Sequence, residues 1–266
     1  MAYETVGVST STSLGTNVTG GGANSKGSWT ELDASTSVTC EGIWVHVGGN
    51  QTSNYQNLID IGTGAASSEV VLIPDVMSSC GDTFGDARSY LIPISIASGT
   101  RLSARTQNNI GAAYIKVSCT LVSDAGLDIT SFTNVDAMGV VSSGASEGTI
   151  VDPGATANTK GSYVEIDAST AQNYKGIIIA IGQNGNTALN TYNFLLDVAV
   201  GVAASEVNFI ENLMFNTSAL SDYGSGRVIG PIACDIPASS RLSVRSQSSG
   251  NDATDRVQDI IIYGLN

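Results

Sequence analysis

Apolar residues in this chain come in short runs bounded by Gly, Ser, Thr and Asn, and no window carries a long stripe of helical period. "SWTELD" (Ser28 to Asp33) and "SYVEID" (Ser162 to Asp167) alternate apolar and polar positions with period two, which is the pattern of a half-buried strand. "AYIKVSCTL" (Ala113 to Leu121) alternates in the same way, and "VQDIIIYGL" (Val257 to Leu265) does so more weakly. In "GIWVHVG" (Gly42 to Gly48) both faces are apolar or bulky, which predicts a strand buried on two sides. A turn punctuates "ISIASGTRLSAR", and "CDIPASSRLSVR" keeps that turn as "PASS". Counting runs between turn signals predicts seven or eight short strands in each half of the chain. An all-β fold follows, of β-sandwich type, with a jelly roll ahead of an immunoglobulin-like topology.

The two halves repeat one another. "ANSKGSWTELDAST" (Ala23 to Thr36) answers "ANTKGSYVEIDAST" (Ala157 to Thr170) at an offset of 134, and "GIWVHVG" answers "GIIIAIG" at the same offset. "LIDIGTGAASSEV" from Leu58 answers "LLDVAVGVAASEV" from Leu195 at 137, "RLSARTQ" from Arg101 answers "RLSVRSQ" from Arg241 at 140, and "VSCTL" answers "IIYGL" at 144. The offset grows only between blocks, as expected when packed elements keep their length and surface loops absorb insertions. Two tandem homologous β-sandwich, jelly-roll-like domains are expected, residues 1–122 and 136–266, with 123–135 as linker.

Composition narrows the chemistry. The 266 residues are 42% hydrophobic but only 13% charged, with a net charge of −13. So negative a chain repels nucleic-acid phosphates and anionic membranes, and the longest apolar run, "IIIAI", is far too short for a membrane helix. "MAYETVGVSTSTSLG" has neither the basic stretch nor the apolar core of a secretory signal. Cys40, Cys80, Cys119 and Cys234 form no C-x-x-C pair and read as small thiols of the interior. The single histidine, His46, lies mid-strand with Ala180 as its repeat counterpart; it reads as a half-buried residue with a satisfied hydrogen bond rather than as part of a catalytic triad. Zinc has too few ligand types. The acidic turns "CGDTFGDARS" and "SGNDATDR" fit no EF-hand, although calcium there stays open. Neither a cofactor nor an enzymatic activity is expected.

Against this acidic background the repeated basic stretch stands out. On a strand, Arg101, Ser103, Arg105 and Gln107 share one face, and Leu102, Ala104 and Thr106 take the other. With the apolar face in the core, the arginine face needs anions, and the acids that recur at matching positions are the candidates: Asp33 with Asp167, Asp60 with Asp197, Glu69 with Glu206. An ionic clamp inside each domain is therefore expected from Arg101, Arg105, Gln107, Asp60 and Glu69, and from Arg241, Arg245, Gln247, Asp197 and Glu206. Paired carboxylates could also serve a glycosidase, a reading to which the adjacent arginines offer a simpler alternative.

The same blocks resemble a domain of tailed-bacteriophage structural proteins, whose pattern is roughly GSW-x-E-I, then D-x-x-x-G-x-x-x-S-E, then P-x-G-[ST]-R-[LI]-x-x-R-x-Q. Here Gly27-Ser28-Trp29 and Gly161-Ser162-Tyr163 match the first block, and Asp60, Gly64, Glu69 with Asp197, Gly201, Glu206 match the second. Arg101, Arg105, Gln107 with Arg241, Arg245, Gln247 match the third. The first half has "IASGTR" where the family favours proline, and Tyr163 replaces a tryptophan. The resemblance implies a non-enzymatic virion protein made in the host bacterial cytoplasm. It would be a head decoration, cement or head-fibre component that self-associates, trimers being one form, and docks on other virion proteins of capsid or tail. A minor tail or receptor- or carbohydrate-binding component is the alternative. For a glycan partner the aromatics nearest loops are Tyr55, Tyr90, Tyr192 and Tyr223; neither nucleic acid nor membrane is implied as a partner.

Overall fold

The computed structural model describes residues 3–9, 14–48, 56–79, 88–123, 131–143, 147–183, 193–216, 227–250 and 257–266. Every regular element among them is a strand. The first half contains β1 (Tyr3–Val6), β2 (Val8–Ser9), β3 (Leu14–Thr19), β4 (Thr30–Asp33), β5 (Gly42–Gly48), β6 (Gln56–Thr63), β7 (Val70–Ser79), β8 (Arg88–Ile92), β9 (Leu102–Asn108) and β10 (Tyr114–Val122). The second contains β11 (Val135–Met138), β12 (Thr149–Val151), β13 (Val164–Asp167), β14 (Tyr174–Gln183), β15 (Asn193–Val200), β16 (Val207–Asn216), β17 (Arg227–Ile236), β18 (Leu242–Ser248) and β19 (Gln258–Leu265).

The pairings nest. In the first half β6 pairs with β7, β5 with β8, β4 with β9 and β3 with β10, all antiparallel. This is one long hairpin rolled up, giving sheets ordered β2-β3-β10-β5-β8 and β4-β9-β6-β7, the layout of a jelly roll. The second half repeats it as β15·β16, β14·β17, β13·β18 and β12·β19, in sheets β11-β19-β14-β17 and β13-β18-β15-β16. The protein is thus an all-β chain of two tandem sandwiches. The stretch expected as linker is partly structured: Val135 already belongs to β11, and Phe132 bridges to Ile94 and packs on the first core.

Register corrects one sequence match. Ile43 pairs with Leu121, and its counterpart Ile177 pairs with Gly264. The offset at β10 and β19 is therefore 143, one less than the letters suggest. A slip of one residue exchanges the two faces of a strand, and here it decides which residues correspond. Val117, Cys119 and Leu121 match Ile260, Ile262 and Gly264 on the inner faces, while Ser118, Thr120 and Val122 match Ile261, Tyr263 and Leu265 on the outer ones.

The outer faces have opposite fates. In the second half Ile178, Ala180, Ile261, Tyr263 and Leu265 are fully buried and belong to the same apolar cluster as the first sandwich's core. They pack the second domain onto β7, the edge strand of the first, while β17 approaches β8. In the first half the corresponding face is open: Trp44 is 37% exposed, and His46 and Thr120 are half-buried. The expectation of a strand buried on both sides thus fails for "GIWVHVG", whereas its counterpart "GIIIAIG" is buried on both because a domain packs against its outside.

Candidate functional site

Each sandwich holds one charged cluster on the outside of its four-stranded sheet. Antiparallel pairing of β6 with β9 sets Asp60 opposite Arg105, and β15 with β18 sets Asp197 opposite Arg245. Arg105 Nε donates to Asp60 Oδ2 at 2.8 Å, and Arg245 Nε to Asp197 Oδ2 at 2.9 Å. The other carboxylate oxygen of each acid takes a lysine that the sequence reading overlooked. Lys26 Nζ lies 2.7 Å from Asp60 Oδ1, and Lys160 Nζ 2.7 Å from Asp197 Oδ1. Both lysines sit in the matched blocks "ANSKGSW" and "ANTKGSY", so the repetition of so scarce a residue was the available signal.

A backbone bulge completes the cage. Asp75 and Asn212 occupy matching positions on β7 and β16 with φ of 49° and 55°, a conformation that Asp and Asn tolerate best among non-glycine residues. Their N–H groups donate to Asp60 Oδ1 and Asp197 Oδ1 at 3.0 and 2.9 Å. In the first domain the Asp75 side chain adds a second carboxylate to Lys26 at 2.7 Å; Asn212 adds none. Burial alone would raise the Asp197 carboxyl, yet hydrogen bonds from Lys160, the Asn212 N–H and Arg245 hold it below the usual carboxylate range.

An aromatic ring caps each arginine. Arg105 stacks on Trp29 at 4.6 Å and Arg245 on Tyr163 at 4.5 Å, a cation–π contact. The ring size is matched beneath. Trp29 lies over Gly62, where an added Cβ would stand 2.6 Å from Cη2. Tyr163 is the smaller ring, and the position corresponding to Gly62 is the buried Ala199. Gly27, of the "GSW" block, has no room for a side chain either, since a Cβ would sit 2.1 Å from the Thr19 carbonyl oxygen.

The other repeated arginines stand just ahead of β9 and β18. Arg101 reaches Glu31 at 2.8 Å, Glu69 at 2.9 Å and the Gly64 carbonyl at 3.2 Å. Arg241 reaches Glu165 at 2.7 Å, Glu206 at 3.0 Å and the Gly201 carbonyl at 3.3 Å. Burial opposes ionisation of Glu69, but its own N–H and Arg101 bring its carboxyl below the ordinary value. Asp33 and Asp167 lie elsewhere: each accepts from the N–H two residues on, at Ser35 and Ser169. Gln107 donates to the Ser142 carbonyl of the second half at 3.0 Å, while Gln247 is half-buried.

A second buried group of polar residues lies where the halves meet. The Tyr263 hydroxyl accepts from the Met77 N–H at 2.9 Å and donates to the Asp75 carbonyl at 2.7 Å. The Tyr90 hydroxyl donates to the Met77 carbonyl, and the two rings meet edge to face at 5.9 Å. Tyr90 is fully buried, so it serves this junction and is no platform for a sugar. Tyr55, Tyr192 and Tyr223 lie outside the described residues, as does most of both acidic turns considered for calcium. Arg88, Glu147 and Asp259 are buried nearby. Burial pushes Asp259 up to about 7 against the pull of the Glu147 N–H and Arg88. Glu147 rises well above its ordinary value by burial, with Arg88 and Lys26 opposing the shift and Asp259 adding to it.

His46 bridges strands: Nδ1 lies 2.8 Å from Ser89 Oγ and Nε2 3.2 Å from Thr120 Oγ1, and burial lowers its pKa. Cys40 and Cys119 are buried thiols and Cys234 is half-buried, while Cys80 lies outside the described residues. Among the described residues no group of three or more His, Cys, Asp or Glu could hold a metal ion. No described helix is long and apolar enough to cross a membrane.

No protein-family model matches the chain, and no curated protein does. Solved structures do match in outline. One is a structure of PNGF-II, with 10% identity and a TM-score of 0.35, covering 99% of this chain. The chain spans 64% of the length of that protein. Another is the N-terminal CBM22-1–CBM22-2 tandem domain of Xyn10C from Paenibacillus barcinonensis, with 11% identity and a TM-score of 0.27, covering 100% of this chain and 91% of that one.

Proposed function

We propose that the chain is a non-enzymatic structural protein of a tailed-phage particle, acting by association with other virion proteins. The observation that carries this reading is the state of the repeated signature. Its arginines, lysines and acids are engaged with one another inside each sandwich, so the residues a catalytic or anion-binding reading would need serve the scaffold. What distinguishes the halves is a surface: an outer face that is polar at Ser118 and Thr120 becomes apolar at Ile261 and Tyr263 and packs against another domain. A module whose variation lies in the faces it offers to neighbours suits assembly. Lysine scarcity agrees, since lysine is depleted at protein interfaces.

A head decoration, cement or head-fibre role is the first form of this reading, and a minor tail or receptor-binding role the second. Immunogold labelling of particles purified from cells expressing the phage that encodes the chain separates them. Gold on capsids supports the first and gold on tails the second. Particles free of label, in a lysate rich in the chain, would remove the virion reading altogether.

A further inference from the structure

The contact between the halves has two sides, and the repeat supplies each side twice. One side is the outer face of β14 and β19 in the second domain; the other is the β7–β8 edge of the first. The first domain carries the former surface again, as the outer face of β5 and β10, and the second carries the latter again, as β16 and β17. Inside the chain the two used surfaces cover each other. Among the described residues their two repeats carry exposed side chains on β16, on the outward side of β17 and on the outer face of β5 and β10, although β17 also borders β8 through Val228.

The contrast is plain residue by residue. Met77 is 0% exposed, and its counterpart Met214 is 74% exposed. Leu72 packs against the shared core, while Phe209, in its place on β16, is exposed. Arg88 is buried; Arg227, which pairs with Ile181 as Arg88 pairs with Val47, is exposed and bonded to Asn216 at 3.1 Å. Met214, Phe215, Asn216, Arg227 and Ile229 line a cleft of about 330 Å³ at the site where the first domain has its junction. On the complementary side Trp44 stands where Ile178 is buried, and Tyr3 beside it on the same sheet is also exposed. Exposed large apolar residues grouped on a surface mark association sites, and Trp44, Tyr3, Phe209 and Met214 fall on the two faces that the internal contact would use next, while others such as Val70 and Val202 lie elsewhere.

We infer that the β16–β17 cleft of one copy takes the β5–β10 face of a second copy, so that the chain associates head to tail by repeating between molecules the contact that joins its own halves. The inference rests on the reading of the chain as an assembly protein. Such a contact is heterologous and grows into a ring or filament unless capped. Charge sets its strength. Arg88 faces the acids Glu147 and Asp259; in the intermolecular contact Arg227 would meet Lys116, which holds the position of Asp259 on its sheet. The wild-type contact is accordingly weak and suits an assembly of many copies, where modest affinities accumulate.

Sedimentation of the full chain over a concentration series tests this. Growth beyond a dimer is expected, weakened about tenfold or more by Trp44→Ser or by Met214→Asp, with circular dichroism melts showing each variant folded. Lys116→Asp, which restores the acid, should tighten association. The decisive arm is a mixture. Trp44→Ser keeps only the cleft and Met214→Asp only the face, so each alone stays monomeric and the two together form a 1:1 dimer that grows no further. Dimers of either variant alone would mean that like faces meet like, and would overturn the inference. So would a wild-type chain that stays monomeric up to about 1 mM, the weak end of specific association. Self-association without particle labelling would remove only the virion reading, and labelling without self-association only this one.

Discussion

The matched exchange of Trp29 over Gly62 for Tyr163 over Ala199 gives a sharp test of packing above the charged cluster. Substituting Gly62→Ala alone places a methyl 2.6 and 2.7 Å from the Trp29 ring carbons Cη2 and Cζ3 and 3.1 Å from the Val70 carbonyl oxygen. Ordinary contact needs the ring to retreat by roughly 1 Å, and it is held from the other side by Arg105, itself fixed to Asp60. Overpacking of this kind costs about 1–3 kcal/mol. Trp29→Tyr alone removes ring area over a glycine and leaves a gap, costing about 1–2 kcal/mol by loss of contacts. Together the two changes recreate the arrangement of the second domain, so their costs should largely cancel. A coupling of about 1–3 kcal/mol is the size expected of residues in direct contact. Urea unfolding followed by far-ultraviolet circular dichroism measures all four corners of the cycle without relying on tryptophan emission. If the double variant lies within about 0.5 kcal/mol of the sum of the singles, the matched-size reasoning is wrong.

Other consequences follow from the same geometry. Tyr263→Phe strands the Met77 N–H and the Asp75 carbonyl and should cost about 2–4 kcal/mol; because one apolar cluster spans both domains, urea melts should shift in midpoint while remaining a single transition. Asp259 has a raised folded pKa, so its contribution is fully present below about pH 4 and is lost as pH rises through about 7; Asp259→Asn should flatten that fall and leave the protein more stable than wild type at pH 8, as read by melting temperature across pH. Asp197 has the opposite sign, since its lowered pKa stabilises above the unfolded value near 4 and the benefit disappears as pH falls further. Asp197→Ala leaves Lys160 and Arg245 facing each other without an anion and should cost about 3–5 kcal/mol, measured by denaturation at pH 7; a change below about 1 kcal/mol would mean that the cluster is decoration.

Much of the fold was legible because strands of one buried face write themselves as alternation. "SWTELD" gave β4 and "AYIKVSCTL" gave β10, and the repeated blocks fell on corresponding strands of the two sandwiches. That Arg105 pairs with a recurring acid of its own domain was legible for a similar reason, but which acid was not: cross-strand register of β6 and β9 selects Asp60 and sends Asp33 elsewhere. The lysines were hidden by lying in irregular backbone just before β4 and β13, where no period marks which way a side chain turns. Asp75 was hidden because one part of its role comes from its backbone N–H at a bulge, and its carboxylate has no acid counterpart in the repeat, where Asn212 stands. The junction of the halves was least visible. Ile260, Ile261, Ile262 and Tyr263 blur the alternation of β19 because both of its faces are buried, and that blur let the match slip by one residue, hiding that Thr120 had become Tyr263.

That tyrosine also imposes an order in time. Its hydroxyl closes on Met77 across 186 residues of chain. Ribosomes add about 5–20 residues per second, so the β7 edge of a first sandwich finished at Val122 stays uncovered for roughly 7–30 s until Tyr263 is made. An unprotected edge strand accepts any strand or apolar face that arrives. On a polysome, where neighbouring nascent chains are close, the face that arrives first within that interval can belong to another molecule, and the outcome is a domain-swapped pair built from native contacts alone. Yield of the correctly closed monomer should therefore depend on how crowded translation is, falling under strong induction and recovering when initiation is slowed, although the sequence is unchanged.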